Sequence, residues 1–285
     1  MSTVRRRLLP YFMLGPGTIW LVLFFVVPLF YMAKLSLESG VVGELEFSWH
    51  WANYSEALSA YDTQFVRSFV YAGAATLIAL LLAYPLAYTM AFKAGRWRNL
   101  MLFAVVAPFF TTYLIRTIAW ETILSDESPV TEVLHAVGLA PGGHVLATSG
   151  AVIAGLTYNF LPFMILPLYA SLERIDGRLI EAGKDLYASP RQAFLRVTLP
   201  LSAPGIVAGT LLTFIPAAGD YINAQLLGGV GNRMIGNVIQ SLYLSQADYP
   251  SAAALSFVLM ALIMVAVVLY IRFAGSEALM GEEAR

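Results

Sequence analysis

Three charged residues stand where an apolar chain tolerates them least. Arg116 and Glu121 fall towards the end of the apolar run Leu100–Ile123, and Asp220 falls at the end of the run Leu201–Tyr221. Aromatic side chains accompany them: Tyr113 and Trp120 in the first run, Tyr221 in the second. Charge within an apolar span is expensive, so it marks a transport pathway by default. Carboxylates beside aromatic faces suit an organic cation, held by charge pairing and cation–π contact. A plainer reading stands beside that one. Arg116 pairs with Asp220 or Glu121 and ties two helices together, while Trp120 and Tyr221 are interfacial anchors. If the third run is one straight helix, Arg116 lies roughly 24 Å above Leu100, in the outer part of a membrane.

Other chemistries lack their residues. The chain contains no cysteine, and His50, His135 and His144 are scattered without ligand-like spacing. Neither a catalytic cluster nor a metal site is expected. No GxxxxGK[ST] phosphate loop occurs, so no ATP site is expected in this chain. Gly228-Gly229-Val230-Gly231 reads as a turn.

The elements that carry these residues are apolar helices. Of 285 residues, 59% are hydrophobic and 12% charged, against about 25% charged in soluble domains. Six runs approach the ~20 apolar residues that a membrane crossing needs: Phe12–Ala33, Phe69–Phe92, Leu100–Ile123, Gly150–Leu172, Leu201–Tyr221 and Pro250–Ile271. The runs are continuous rather than alternating, which predicts helices and not barrel strands. The first follows Arg5, Arg6 and Arg7 but is too long for a signal-peptide core, so it reads as a retained helix. Placing the N-terminus inside puts thirteen of the seventeen lysines and arginines on the inner side. The positive-inside rule therefore predicts that both termini are cytoplasmic.

The inner segment from Glu173 to Pro200 is unusually long for a connection. Leu179, Ala182, Gly183 and Leu186 share one helical face, with charges opposite. Ser189, Pro190 and Gln192 form a capping signature that begins a second short helix. Such a knob either docks another protein or rests on lipid headgroups. Small residues at Ala182, Gly183 and Ala188 admit close approach, and Glu181, Lys184, Asp185 and Arg191 supply charge around them.

The run Glu181-Ala182-Gly183, then Leu186-Tyr187-Ala188-Ser189, Val197 and Leu199-Pro200 resembles the EAA signature. That signature belongs to membrane subunits of binding-protein-dependent ATP-binding-cassette (ABC) importers of the type I, methionine-permease-like fold. Gly183 stands where the second alanine is usual, and Tyr187 where glycine is usual. The resemblance implies an all-α integral membrane protein with six transmembrane helices. It divides the chain into 1–64 (cytoplasmic N-terminus, first helix, outer loop), a permease domain at 65–272 with its coupling loop at 173–200, and a cytoplasmic tail at 273–285. Glu181, Ala182, Gly183, Asp185, Leu186, Tyr187, Ala188 and Ser189 are then the ATPase-coupling residues. The implied partners are an ABC ATPase dimer carrying ATP and Mg, a second six-helix permease subunit, an extracytoplasmic substrate-binding protein and membrane lipid, with no nucleic acid. The implied location is the bacterial cytoplasmic (inner) membrane.

Pro108-Phe109-Phe110-Thr111-Thr112-Tyr113-Leu114-Ile115-Arg116-Thr117-Ile118-Ala119-Trp120 is similar to the third-helix motif of PotB-type spermidine/putrescine permeases. Phe214-Ile215-Pro216, Gly219-Asp220-Tyr221 and Leu226-Leu227-Gly228-Gly229 resemble their fifth-helix exit. The implied cargo is a polyamine, crossing past Asp220, Tyr221, Glu121, Trp120, Tyr113 and Arg116. Relatives for opines, thiamine, iron and phosphonates share parts of these motifs. An ion-coupled transporter predicts carboxylates in mid-span, and none is found there; a membrane enzyme predicts a catalytic cluster.

Overall fold

The structure is a computed structural model that describes residues 14–40, 43–138, 143–185 and 189–274. Four helices are each long and apolar enough to cross a membrane: α1 (Leu14–Leu35), α3 (Asp62–Phe92), α7 (Ser149–Glu173) and α13, which is apolar over Tyr249–Phe273. Between α1 and α3 lie a short antiparallel hairpin, β1 (Glu38–Ser39) with β2 (Glu46–Phe47), and the helix α2 (Ala52–Ala60); the shorter helices α6 (Pro129–Ala136) and α12 (Ile235–Leu244) precede α7 and α13.

Two further helix pairs are as apolar but bent. α4 (Gly95–Phe110) and α5 (Tyr113–Ile123) meet at 96°, and α9 (Pro190–Leu201) and α10 (Ala203–Ala218) meet at 61°. The straight third helix expected from Leu100 to Arg116 is therefore not observed, and the 24 Å rise built on it does not apply. The reason is local. Pro108 sits in a tight turn at Ala107–Phe110, and Thr111 and Thr112 are extended (ψ 140° and 147°) before α5 begins. Extended residues cannot pass on the i→i−4 hydrogen-bond ladder, so the axis is free to turn. At the fifth span, Pro200 and Pro204 flank the break at Ser202.

Other prolines are absorbed without a break. Pro85, Pro162, Pro167 and Pro216 lie inside continuing helices. Pro28 and Pro200 are each preceded by a widened helical turn, Val22–Val26 and Phe194–Thr198. A proline ring collides with the carbonyl four residues back, and a widened turn moves that carbonyl away.

The chain divides into two compact units. One comprises residues 1–62 and 238–260. In it, the buried Asn53 amide donates to the carbonyls of Ser36 (3.0 Å) and Glu38 (2.9 Å), tying α2 to the end of α1. A cleft of about 580 Å³ opens beside Glu38, His50, Asn53 and Asp248.

The other unit comprises residues 63–237 and 261–285. α3 presents a stripe of buried alanines, Ala72, Ala75, Ala79, Ala83 and Ala87. They pack with Val152, Leu156, Met164 and Leu168 of α7. α10 lies on the same helix through Gly205 and Gly209. A Cβ at Gly205 would stand 2.5 Å from Ser171 Cβ, and one at Gly209 would stand 2.8 Å from Met164 Sδ. Lipid removes the hydrophobic drive for helix association, so close backbone approach through small residues takes its place. The Gly-x-x-x-Gly spacing of 205 and 209 is that device.

Candidate functional site

The two bent helix pairs bring distant polar residues together. Tyr113 opens α5, directly after the extended pair Thr111–Thr112. Asp220 lies just beyond α10, where the chain turns into the short helix α11 (Ile222–Leu227). The Tyr113 hydroxyl donates to Asp220 Oδ2 and accepts from the Asn223 side-chain amide. Asp220 Oδ1 accepts from the backbone N–H of Asn223 at 2.8 Å and from its Nδ2 at 3.2 Å. Asn159 of α7 completes the group. Its Nδ2 donates to Thr117 Oγ1 and to Asn223 Oδ1, both at 3.1 Å.

Every member except Tyr113 is buried. Thr117 and Asn223 have no exposed surface, Asn159 has 1% and Asp220 8%. A buried polar group needs its hydrogen bonds met, and a connected set of this kind holds its helices in one geometry. Gly155, one turn before Asn159, makes room for it. A Cβ there would stand 2.6 Å from Asn223 Oδ1 and 2.4 Å from Leu227 Cδ1.

The tie between the third and fifth spans is thus real, but its members differ from those expected. Among the described residues Arg116 makes no ion pair, with Asp220, Glu121 or any other carboxylate. Arg116 is 9% exposed, its Nε and Nη1 lack hydrogen-bond partners, and its guanidinium carbon lies 5.8 Å from the ring centres of both Phe109 and Tyr113. Trp120 packs edge-on to Tyr158 at 5.3 Å. Glu121 is half-buried on the same helix. Tyr221 is 40% exposed, and its carbonyl accepts from Asn237 Nδ2 at 2.7 Å. Asn159, Asn223 and Thr117 are not predictable site residues from the sequence. Being uncharged, they leave no local signal in it.

The segment 173–200 takes the expected two-helix form where it is described. α8 (Gly177–Asp185) carries Glu181 and Ala182, both exposed, and includes Gly183 and Asp185 in its backbone. Leu186, Tyr187 and Ala188 lie outside the described residues. Ser189 caps α9: Gln192 N donates to Ser189 Oγ at 3.3 Å, and Ser189 N donates to Gln192 Oε1 at 2.9 Å, with Pro190 in the first turn. The reciprocal pair satisfies two backbone donors that a helix start otherwise leaves free. Behind the segment, Arg98 pairs with Glu173 at the end of α7.

Residues 7–275 match the family described as binding-protein-dependent transport system inner membrane component. The chain belongs to this family. Among its relatives, this binding-protein-dependent permease is 39% identical over 256 residues to the spermidine/putrescine transport system permease protein PotB of Haemophilus influenzae, covering 89% of this chain and 90% of the relative. It is 38% identical over 243 residues to PotB of Escherichia coli K12, covering 84% of this chain and 88% of the relative. A third relative, the inner membrane ABC transporter permease protein YdcU of the same strain, is 37% identical over 221 residues, covering 73% and 69%. In fold, the permease is similar to a chain of a bacterial ABC transporter involved in import of the acidic polysaccharide alginate, with a TM-score of 0.68, 20% identity and 98% of each chain covered. It is similar also to a chain of the bacterial alginate transporter in complex with a pentasaccharide-bound periplasmic protein, with a TM-score of 0.66, 19% identity, and 96% and 95% covered.

Proposed function

We propose that this chain is a permease subunit of an ATP-driven importer for polyamines of the spermidine/putrescine type. The observation that carries this reading is the likeness to PotB permeases along nearly nine-tenths of both chains. In this reading each broken pair counts as one crossing, which gives six, with both termini on the cytoplasmic side as the basic residues predict. The permease domain runs over 65–272, between the first helix with its outer loop and the cytoplasmic tail. A second permease subunit completes the pathway, an extracytoplasmic binding protein delivers the cargo, and a separate ATPase dimer, with ATP and Mg, supplies the work. The exposed Glu181 and Ala182, with the cap at Ser189, form the part of 173–200 that the ATPase grips.

The polar group at Asp220 then has a definite part. Its carboxylate already accepts from Tyr113 and Asn223. A cargo ammonium that takes Oδ2 displaces the Tyr113 hydroxyl and so loosens α5 from α11. Tyr113 and Asp220 act as the pair that senses cargo, with the rings of Trp120 and Tyr221 beside the path and Glu121 and the Arg116 cation setting its charge. The complex, co-produced with its partner subunits in phospholipid vesicles, is expected to accumulate labelled spermidine or putrescine only when binding protein and ATP are both supplied. Failure with both polyamines, alongside uptake of another small solute, would overturn the assignment of cargo.

A further inference from the structure

The end of α1 carries an aromatic surface that the transport reading does not use. α1 is 22 residues long, none of its most apolar window is buried, and Leu21, Phe25 and Phe30 are 63–72% exposed. At about 1.5 Å per residue it matches a hydrocarbon core of about 30 Å. Beyond Leu35 the chain doubles back. Glu38 pairs with Phe47 across the hairpin, His50 N donates to Leu37 O at 2.9 Å, and the Tyr54 hydroxyl meets Ser36 Oγ at 2.6 Å. These bonds hold the segment of Phe47, Trp49 and Trp51 against residues 36–38, directly after the last turn of α1.

The three rings form a ladder. Phe47 meets Trp49 edge-on at 4.9 Å, and Trp49 lies over Trp51 at 6.4 Å with 25° between planes. Phe47 is 45% exposed and the two indoles 62% each. Trp49 has φ +52°, a left-handed conformation in which bulky residues are rare. The backbone here is held in an unfavourable shape that presents the indole outwards. Lys34, in the last turn of α1, pairs with Glu38 at 3.2 Å and supplies a cation where the helix ends.

We propose that Phe47, Trp49 and Trp51 form a membrane-interface anchor that lies among phospholipid headgroups in the leaflet where α1 ends. Lipid is the occupant because the ladder continues the uncovered apolar surface of α1. An indole, apolar in its rings and polar at its N–H, is the side chain that settles at this boundary. The anchor fixes the depth of the first span. It rests only on α1 crossing the membrane, so the polyamine test can fail while this one succeeds, and the reverse.

The test compares the full chain with its Trp49→Phe/Trp51→Phe variant in phosphatidylcholine vesicles and takes the difference in tryptophan emission. Both residues are exposed, so the variant keeps its fold. The difference emission is expected to be quenched several-fold more by lipid brominated near the headgroup than by lipid brominated near the chain end, and to be shielded from aqueous iodide. Strong quenching by iodide with none by brominated lipid would overturn the proposal, as would strongest quenching by the deepest bromine. Protection from iodide only when an extracytoplasmic binding protein is added would assign the ladder to a protein partner and overturn it equally.

Discussion

Asp220 is a buried carboxylate that ties two bent helix pairs together, and in the proposed function it also meets the cargo. It accepts from three donors, two of them on Asn223 and one on Tyr113. Removing one donor leaves a buried acceptor short, which costs about 1–3 kcal/mol. Tyr113→Phe is therefore expected to lower the thermal midpoint of the purified complex, and to weaken polyamine uptake by loosening α5. Asp220→Asn keeps the shape and most of the hydrogen bonds but removes the charge. It is expected to leave assembly intact and to lower uptake, measured as initial rate in vesicles. Unchanged uptake would leave Asp220 a structural tie alone. Arg116 and Asp220 were conspicuous in the sequence because charge is rare in an apolar run. Their neighbours were not. Asn159 and Asn223 are common residue types 64 positions apart, and nothing near either one announces the other. A pairing of Arg116 with a carboxylate was the obvious expectation from charge. The structure instead sets its guanidinium against two aromatic rings, an arrangement that only three-dimensional packing reveals.

At the scale of the element, the spans were legible and their breaks were not. Length and apolarity are properties of a run, and composition records them directly. A break depends on what neighbouring helices do with a freed carbonyl. Pro85, Pro162 and Pro108 look alike in the sequence, yet only the last adjoins a 96° turn. Helix capping was legible, since Ser189 and Gln192 carry their pattern within four residues. Ser189→Ala is expected to cost about 1 kcal/mol at that helix start. Hydrogen exchange at the first amides of α9 should rise about fivefold, the equivalent of that energy. Close helix packing offers a second test. Gly205→Ala places a Cβ 2.5 Å from Ser171 Cβ and 2.8 Å from the Pro167 carbonyl. Overpacking of this kind costs about 1–3 kcal/mol and is read as a lower melting midpoint. Gly73→Ala in α3 has open space around it and should melt at or above the parent temperature.

For the whole molecule, the decisive quantity is which face each segment meets. The chain has no cysteine, so Ser189→Cys provides a single reactive thiol. In intact cells or sealed vesicles it should react only with a reagent admitted to the cytoplasmic side. Glu181→Ala is expected to leave the permease folded and in the membrane while transport falls away from ATP hydrolysis, measured as moles of cargo per mole of ATP. The tie between the third and fifth spans also bears on how the chain is made. Tyr113 and Asp220 are 107 residues apart. A ribosome adding about 5–20 residues per second needs about 5–20 s to supply the second after the first. During that interval the bent segment carries the Tyr113 phenol without its partners Asp220 and Asn223. Nascent chains halted before residue 220 should therefore leave this span easily extracted from the membrane, and chains halted well beyond residue 227 should hold it fast. The order in which the ribosome delivers the two halves is itself a step in building the pathway.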